Sequence, residues 1–179
     1  MTERIMGNKV ILRSATLNDR QPIFDWLTNS DLTKLMMGPP TYPDSPIRTW
    51  QEFLNDYMEY FFDGSKPLLG RCFIIEVNSE QVGQINHDKI SMTNHSTELD
   101  IWLKSSKYIN KGYGTDAIVT LCNYLSKRFE CKKFIIAPSK RNLAAIRTYQ
   151  KAGFIETDEI HDTLLPDYND HIVMIKTVP

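Results

Sequence analysis

Three consecutive strand patterns between Arg71 and Leu103 constrain the fold of this chain more than any other feature. The first two patterns flank Asn78–Glu80, a loop whose composition is typical of a β-hairpin. In the third pattern, apolar residues alternate with the acids Glu98 and Asp100, as expected for a strand with one buried face. The segment therefore predicts an antiparallel meander. Its strands are predicted at 71–77, 81–90 and 97–103.

The segments on either side of the meander contain helical patterns. Before it, a short strand leads into a helix that Thr16 or Asn18 caps and that has Pro22 in its first turns. A proline-rich loop then precedes a second helix with aromatic residues at helical spacing. After the meander, the order is helix, strand, helix and two closing strands, which predicts a mixed α/β fold in one domain, 1–179. The predicted ranges are 10–13 for the first strand, 38–46 for the loop, about 47–62 for the second helix, 133–137 for the later strand, 142–152 for the last helix, and 154–160 and 171–177 for the closing strands.

The composition fits one globular domain, because 41% of the 179 residues are hydrophobic, 24% are charged and the net charge is −1. This balance argues against a disordered chain and against a broadly basic nucleic-acid-binding protein. No apolar run approaches the roughly 20 residues of a membrane-spanning helix, and the first residues lack the apolar core of a secretory signal. We therefore expect a cytoplasmic protein without nucleic-acid or membrane partners, and a homodimer stays open.

The spacing of cysteines and histidines gives no sign of a disulfide framework or a metal site. Cys72, Cys122 and Cys131 are odd in number and lack metal-type spacing, so reduced thiols are the simplest interpretation. The four histidines are scattered and form no i, i+4 pair. We expect no metal cofactor.

The stretch "YINKGYGTDAI" (108–118) places two glycines just before a helical pattern. Such loops commonly hold a phosphate, because successive backbone N–H groups point into one concavity at a helix N-terminus. Gly112–Ala117 matches the dinucleotide pattern G-x-G-x-x-G/A, but these glycines do not follow directly on a buried strand, and the expected acid, Glu130, falls at a helix end. A P-loop fits less well, because Lys111 precedes the glycine and no G-K-[ST] follows. The pyrophosphate of coenzyme A and a simple helix-capping turn are the interpretations that remain.

A second motif, N-x-x-A-I-R-x-Y-x-K-x-G-F, occupies Asn142–Phe154. Together with "YINKGYGT" and "ELDIWL", it resembles the GCN5-related N-acetyltransferase superfamily, and the resemblance is strongest over 98–154. It implies a mostly antiparallel, twisted sheet flanked by helices, whose fourth and fifth strands splay around acetyl-CoA. It also implies that the amine attacks the thioester directly, without an acetyl-enzyme intermediate. Ile109 departs from the family pattern, since arginine or glutamine is common there; this removes one side-chain contact but not the backbone loop.

The resemblance also implies roles for individual residues. Tyr149 matches the tyrosine that reaches the coenzyme sulfur, and it is the expected acid for the leaving thiolate. Glu98 or Asp100 is expected to take or relay the proton of the amine, with water as the alternative carrier. A backbone N–H near Trp102 or Leu103 is the expected donor to the oxyanion. The expected coenzyme contacts are Leu103, Asn110, Lys111, Gly112, Tyr113, Gly114, Thr115, Lys151 and Asn142, the last of which also has the chemistry of a helix N-cap.

The acceptor is expected to lie against the first two helices, which are rich in acids and aromatic residues. An acidic cleft there favours a small amine, such as an aminoglycoside or a polyamine, by electrostatic focusing; the alternative is that these acids lie on a solvent-facing helix surface. Resemblance to the ribosomal-protein branch makes a protein N-terminus the second candidate, and a non-catalytic acyl-CoA-binding module is the alternative of another class. The acids are Asp31, Asp44, Glu52, Asp56, Glu59 and Asp63, and the aromatic residues are Trp26, Tyr42, Trp50 and Tyr57.

Overall fold

The described part of the chain covers residues 3–33, 47–159, 164 and 169–179 of a computed structural model. Within these residues, eight strands form one sheet in the order β1-β2-β3-β4-β5-β6-β8-β7. β5 and β6 run parallel, and the other neighbouring strands are antiparallel. The strands are β1 (Arg4–Met6), β2 (Ile11–Ser14), β3 (Arg71–Val77), β4 (Glu80–His87), β5 (Ser96–Leu103), β6 (Lys133–Ile136), β7 (Ile155–Thr157) and β8 (Val173–Thr177). The described helices are α1 (Arg20–Asn29), α2 (Trp50–Asp56), α3 (Tyr60–Asp63), α4 (Tyr113–Phe129) and α5 (Leu143–Lys151).

The predicted meander is confirmed as β3, β4 and β5. Asn78 and Ser79 both have positive φ angles, 49° and 66°, which is the geometry of a two-residue type I′ turn. The predicted second strand was too long, because β4 ends at His87. Beyond it, the carbonyl oxygen of Asp88 lies 2.9 Å from the hydroxyl of Thr97 and 2.9 Å from Nδ1 of the preceding histidine. At the point where β4 ends, this carbonyl oxygen therefore accepts hydrogen bonds from side chains.

The single helix predicted over 47–62 is wrong, because the segment forms two short helices. Tyr57 has φ −98° and ψ 71°, so α2 ends before it and α3 begins at Tyr60. The Tyr57 ring stacks on Phe53 at 4.8 Å between centroids, and only 8% of the residue is exposed. Its hydroxyl reaches polar groups on the sheet, and this inward turn interrupts the helix that the aromatic spacing suggested.

Two smaller differences lie near the start of the chain. The prediction missed β1, whose three residues are too few to show an alternation. Neither proposed cap occupies the N-cap position of α1, which is Asp19. Thr16 instead caps the 3-10 turn Leu17–Asp19 that leads into α1, and its N–H donates to the Asp19 carboxylate at 2.7 Å. Asn18 lies inside that turn.

Two apolar layers cover the two faces of the sheet. On one face, α4 and α5 bury residues such as Leu121 and Tyr149 against Phe73, Ile85 and Leu99 of the strands. On the other face, α1, α2 and α3 form a smaller layer over β3. Within the described residues, none of the helices is both long and apolar enough to cross a membrane.

The sheet opens between β5 and β6. These strands pair only where Ser96–Glu98 meets Lys133–Ile135. In the part of the chain that the structure describes, β5 pairs with β4 alone from Leu99 to Leu103, whereas β6 pairs with β8 along its whole length. β5 and β6 are the fourth and fifth of the strands predicted from the sequence, so the expected splay is confirmed. We call this opening the wedge.

Candidate active site

The glycine loop enters α4 through two residues in the left-handed conformation. Asn110 has φ 59° and Gly112 has φ 80°; the second position strongly favours glycine. The first intrahelical bond runs from Asp116 N to Gly112 O at 3.0 Å. The N–H groups of 113–115 therefore have no partner within the helix, and the helix dipole adds positive potential there. This is the geometry of an anion site at a helix N-terminus.

The second glycine also has a packing role. A side chain at Gly114 would place its Cβ 3.3 Å from the Thr148 methyl group and 3.9 Å from Ile101. Beside it, the Thr115 hydroxyl donates to the Thr148 carbonyl oxygen at 3.4 Å. Gly114 therefore lets the start of α4 approach α5 closely, in addition to the backbone role expected from the sequence.

Residues near the N-terminus hold the loop, and sequence reasoning missed them. The Asp116 carboxylate accepts backbone N–H bonds from Asn8 at 3.2 Å, from Lys9 at 2.6 Å and from Val10 at 3.0 Å. The Lys9 ammonium donates to the Lys111 carbonyl oxygen at 3.1 Å. A second cation therefore lies at the loop beside Lys111. These residues are about a hundred positions apart in the chain, so no local pattern points to the contact.

The approach to the loop is fixed by Asp31. Its carboxylate accepts hydrogen bonds from the Ser106 hydroxyl and from the Ser106 N–H, the latter at 3.0 Å. These bonds lower the pKa of Asp31. The sequence placed this acid in an acceptor cleft; in the structure it holds the 3-10 turn Ser106–Tyr108 that precedes the glycine loop.

The other acids expected in the acceptor cleft also contact groups of the protein. Glu52 and Asp63 bind groups within three residues, as acids on a solvent-facing helix surface do, whereas Asp56 and Glu59 pair with arginines farther along the chain. Asp44, like Tyr42, lies outside the described residues. The contacts are Glu52 to Thr49, Asp56 to Arg48, Asp63 to the Ser65 N–H, and Glu59 to Arg20 at 4.0 Å.

Asp100 lies instead in a polar cluster on the α1–α3 face of the sheet. The Tyr57 hydroxyl is 3.3 Å from the Asp100 carboxylate and 3.5 Å from the Asn86 amide oxygen. The Gln84 amide donates to the same hydroxyl at 3.4 Å. Gln84 is fully buried and Asn86 is 4% exposed, whereas Asp100 is half-buried. Glu98, also half-buried, lies on the same strand face two residues before Asp100.

The free edge of β5 presents backbone N–H groups to the wedge. Lys104 N donates to Val82 O at 2.9 Å, and Asp88 N donates to Glu98 O at 3.0 Å. Because alternate residues of an antiparallel strand bond to the same neighbour, the even-numbered residues of β5, including Trp102, bond to β4. The N–H groups of Ile101 and Leu103 then face the wedge. Of the two predicted oxyanion donors, the geometry favours Leu103 over Trp102.

The end of β5 is held from both sides. A side chain at Gly83 of β4 would bring its Cβ to 2.9 Å from Leu103 Cα and closer still to the Trp102 carbonyl oxygen. On the other side, the Trp102 indole N–H donates to the Trp26 carbonyl oxygen at 2.9 Å. These contacts fix the backbone of β5 at the mouth of the wedge.

The motif on α5 supplies the remaining predicted residues. Tyr149 is 6% exposed and packs in the core of the α4–α5 face, with its ring 6.4 Å from that of Phe154. Asn142 is confirmed as the N-cap, since its side chain accepts the Ala145 N–H at 3.1 Å. Lys151 is exposed in the last turn of the helix. In the described part of the chain, no group of three or more His, Cys, Asp or Glu residues is arranged to hold a metal ion.

The fold and the wedge together define the architecture of an acetyltransferase domain. Residues 9–155 match the family described as the acetyltransferase (GNAT) domain, and the chain belongs to this family.

Comparisons with individual proteins agree with this assignment. The chain is 31% identical over 78 residues to the spermine/spermidine N(1)-acetyltransferase of Bacillus subtilis (strain 168), covering 44% of this chain and 47% of that protein. The match thus spans about half the length of that relative. The ribosomal L7/L12 α-N-protein acetyltransferase RimL has a TM-score of 0.73 at 17% identity over 99% of this chain and 96% of its own. AAC(6')-Ib in complex with paromomycin and acetyl-CoA has a TM-score of 0.71 at 22% identity, covering 95% and 94%. At such identities the two structures show the fold alone.

Proposed function

We propose that this protein is an N-acetyltransferase that moves the acetyl group of acetyl-CoA to a primary amine by direct attack. The observation that carries the proposal is the wedge, together with the nearby N–H groups of 113–115, which have no partner within α4. Gly114 is the link between the two, because a Cβ at this position would lie 3.9 Å from Ile101 of β5 and 3.3 Å from Thr148 of α5. Acetyl-CoA needs both features: an open strand edge for its extended thioester arm and an anion site for its diphosphate.

Donor binding is assigned to the loop. The N–H groups of 113–115 are the proposed ligands of the pyrophosphate, and the ammonium groups of Lys9 and Lys111 add positive charge. Asn110 and Gly112 set the backbone course that exposes these groups. Asn142 and Lys151 stay proposed contacts by family resemblance.

The chemical step makes three demands on the residues of the wedge. The amine, with a pKa near that of lysine at about 10.4, must lose a proton before it attacks. Asp100 or Glu98 is the proposed acceptor of that proton, directly or through water, because both lie on the face of β5 where the acceptor is expected. The Leu103 N–H is the proposed donor to the tetrahedral oxyanion. Tyr149 is the proposed acid for the departing thiolate.

A small amine-bearing molecule, such as a polyamine or an aminoglycoside, is the proposed acceptor. Support comes from the Asp100 cluster, where a half-buried carboxylate that contacts the Tyr57 phenol supplies the negative charge that suits an ammonium group. It also comes from the B. subtilis relative, which is a spermine/spermidine acetyltransferase by name. Because the acids of α2 and α3 are already paired, a wide acidic cleft is a weaker explanation. Specificity for the acceptor is therefore assigned to the Asp100 cluster. A protein N-terminus is the second candidate, supported by the overall similarity to RimL.

The test is thiol release from acetyl-CoA in the presence of polyamines, aminoglycosides or peptides with free N-termini at equal concentrations. We expect turnover with a polyamine or an aminoglycoside and at most slow turnover with peptides. Faster turnover with peptides would move the protein to the second candidate. Tight coenzyme binding with no turnover on any amine would leave the non-catalytic acyl-CoA-binding module as the better description.

The Tyr57→Phe variant tests the acceptor assignment. Removing the phenol that contacts Asp100 is expected to raise the KM of the amine about fivefold, since such a bond is worth about 1 kcal/mol. The KM of acetyl-CoA should stay unchanged. Tyr60→Phe is the matched control, because Tyr60 lies three residues away and stacks on Phe61. Equal effects of the two substitutions on the amine KM would contradict the assignment.

A further inference from the structure

A second cavity, of about 270 Å³, lies at the other end of α4 from the glycine loop. α4 has 17 residues and is therefore about 25 Å long, so this cavity and the proposed pyrophosphate site are well separated. The walls of the cavity come from β3, β4 and the last turns of α4. The groups that matter for binding are Glu3, Arg71, His87, Tyr124 and Arg128.

The most unusual group in this cavity is His87, which is 1% exposed. Its Nδ1 lies 2.9 Å from the Asp88 carbonyl oxygen. A carbonyl oxygen only accepts, so the proton of a neutral ring is on Nδ1 and Nε2 is left as an acceptor. Burial lowers the pKa of His87 to about 4, which keeps the ring neutral near pH 7. In the described part of the chain, Nε2 has no hydrogen-bond partner, and an unsatisfied buried acceptor is unfavourable.

Arg71 supplies positive charge to the same cavity. Its Nη1 donates to the Phe61 carbonyl oxygen at 3.0 Å, which leaves other N–H groups of the guanidinium available. Among the described residues, no carboxylate lies within ion-pair distance of it, and burial lowers its pKa. Because a half-buried cation without a carboxylate partner is unfavourable, this site favours an anion.

The remaining charges leave the cavity with a net positive charge. Arg128 packs against Phe129 with 5.6 Å between guanidinium and ring. Glu3 is the acid in the lining, and its carboxylate already accepts the Tyr124 hydroxyl at 2.9 Å. Two arginines, one carboxylate and a neutral histidine sum to one positive charge. The negative end of the α4 dipole opposes an anion here, although the N–H groups of Glu130 and Cys131 bind the carbonyl oxygens of Ser126 and Leu125.

We propose that this cavity binds a small phosphate-type oxyanion that carries one proton. The guanidinium of Arg71 matches the geometry of phosphate oxygens, and Arg128 completes the charge. The protonated oxygen donates to Nε2 of His87, which needs a donor and not a second acceptor. Simple carboxylates and sulfate have the charge but no proton near neutral pH, so the histidine discriminates against them.

The test is an NMR titration of the full chain with inorganic phosphate and, separately, with sulfate at about pH 6, where phosphate carries a proton that sulfate lacks. The signals of the His87 ring and of the Phe129 amide report this cavity, and the amides of 113–115 report the glycine loop. We expect saturable shifts at the first set with phosphate and at least fivefold weaker binding of sulfate. No saturable shift there, or equal affinities for the two ions, would overturn the proposal.

Two variants and a control assign the binding groups. Arg71→Gln is expected to weaken phosphate binding at the cavity at least tenfold and leave binding at the glycine loop unchanged. His87→Phe is expected to abolish the preference for phosphate over sulfate, and the same spectra report whether each variant is folded. Lys127→Gln is the control, since Lys127 precedes Arg128 on α4 but does not line the cavity. Equal losses of phosphate affinity in Arg71→Gln and Lys127→Gln would mean that the ion responds to the overall positive charge of this surface. That result would contradict the proposal. Glycerol 3-phosphate in place of phosphate distinguishes a phosphorylated metabolite from the free ion as the ligand.

Discussion

The contact at Gly83 gives a prediction whose size follows from the structure. In Gly83→Ala the new Cβ would lie 2.9 Å from Leu103 Cα and nearer to the Trp102 carbonyl oxygen. Carbon atoms in contact prefer about 3.5 Å or more, so the backbone of β5 must move by about 0.6 Å at least. Both of these neighbouring atoms, Leu103 Cα and the Trp102 carbonyl oxygen, belong to the backbone, so no side-chain rotation relieves the clash.

Two effects of different size are expected. Overpacking of this kind destabilises a protein by about 1–3 kcal/mol. The same movement displaces the Leu103 N–H from the proposed oxyanion position, and misplacements near 1 Å lower rates by about 100-fold. We therefore expect Gly83→Ala to lower kcat by about 10- to 100-fold, beyond what a loss of folded protein explains, with little change in the KM of acetyl-CoA.

The assay combines urea unfolding with steady-state kinetics on the best amine found in the acceptor panel. Gly64→Ala is the control for lost stability: Gly64 has φ 72° at the end of α3, where an alanine costs about 1 kcal/mol, and a Cβ there would meet the Arg71 side chain of β3. The control should keep its kcat per folded molecule. If Gly83→Ala loses stability but keeps full kcat, the Leu103 N–H has no role in the rate and the reasoning fails.

Three further predictions concern other parts of the molecule. Tyr149→Phe should lower kcat about 100-fold without raising the KM of acetyl-CoA, because only the proton donor is lost; stopped-flow thiol release measures this, and an unchanged kcat removes the assignment. Asp116→Ala removes three backbone hydrogen bonds and should lower the free energy of unfolding by about 2 kcal/mol and raise the KM of acetyl-CoA, with calorimetry and kinetics as checks; an unchanged melting temperature would contradict it. His87 stays neutral in the fold with a pKa of about 4, whereas the unfolded chain gains its proton near pH 6.5. Stability should therefore fall by about 3 kcal/mol as the pH drops between these values, and urea unfolding of His87→Phe should show a smaller fall than the wild type.

Local patterns predicted the parts of the fold that local physics decides. The hairpin loop at Asn78–Glu80 and the cap at Asn142 depend on residues within one turn of each other. The meander followed from that loop and from the alternation in its third strand. The helix break at Tyr57 was missed because the aromatic spacing is the same whether a helix continues or stops. The break reflects a contact with Asp100, 43 positions away.

The candidate site divides in the same way. The glycine loop and the motif around Tyr149 were visible in the sequence, since each is a short local pattern. The supports of the loop were not visible, because Asp31 and Asp116 act on segments 75 and more than 100 residues distant. The acids of the first helices were counted as a possible cleft, but a sequence does not show that carboxylates such as Glu52 and Asp63 are bound by their own turns.

The most direct test of the proposed transfer follows the acetyl group itself. The protein is mixed with acetyl-CoA, first alone and then with the best amine of the panel, and the masses of protein and amine are measured as free thiol accumulates. We predict that the protein gains no mass, that thiol release requires the amine, and that one acetylated amine forms for each thiol released. An acetylated protein, or thiol release without an acetylated amine, would contradict direct transfer in the wedge between β5 and β6.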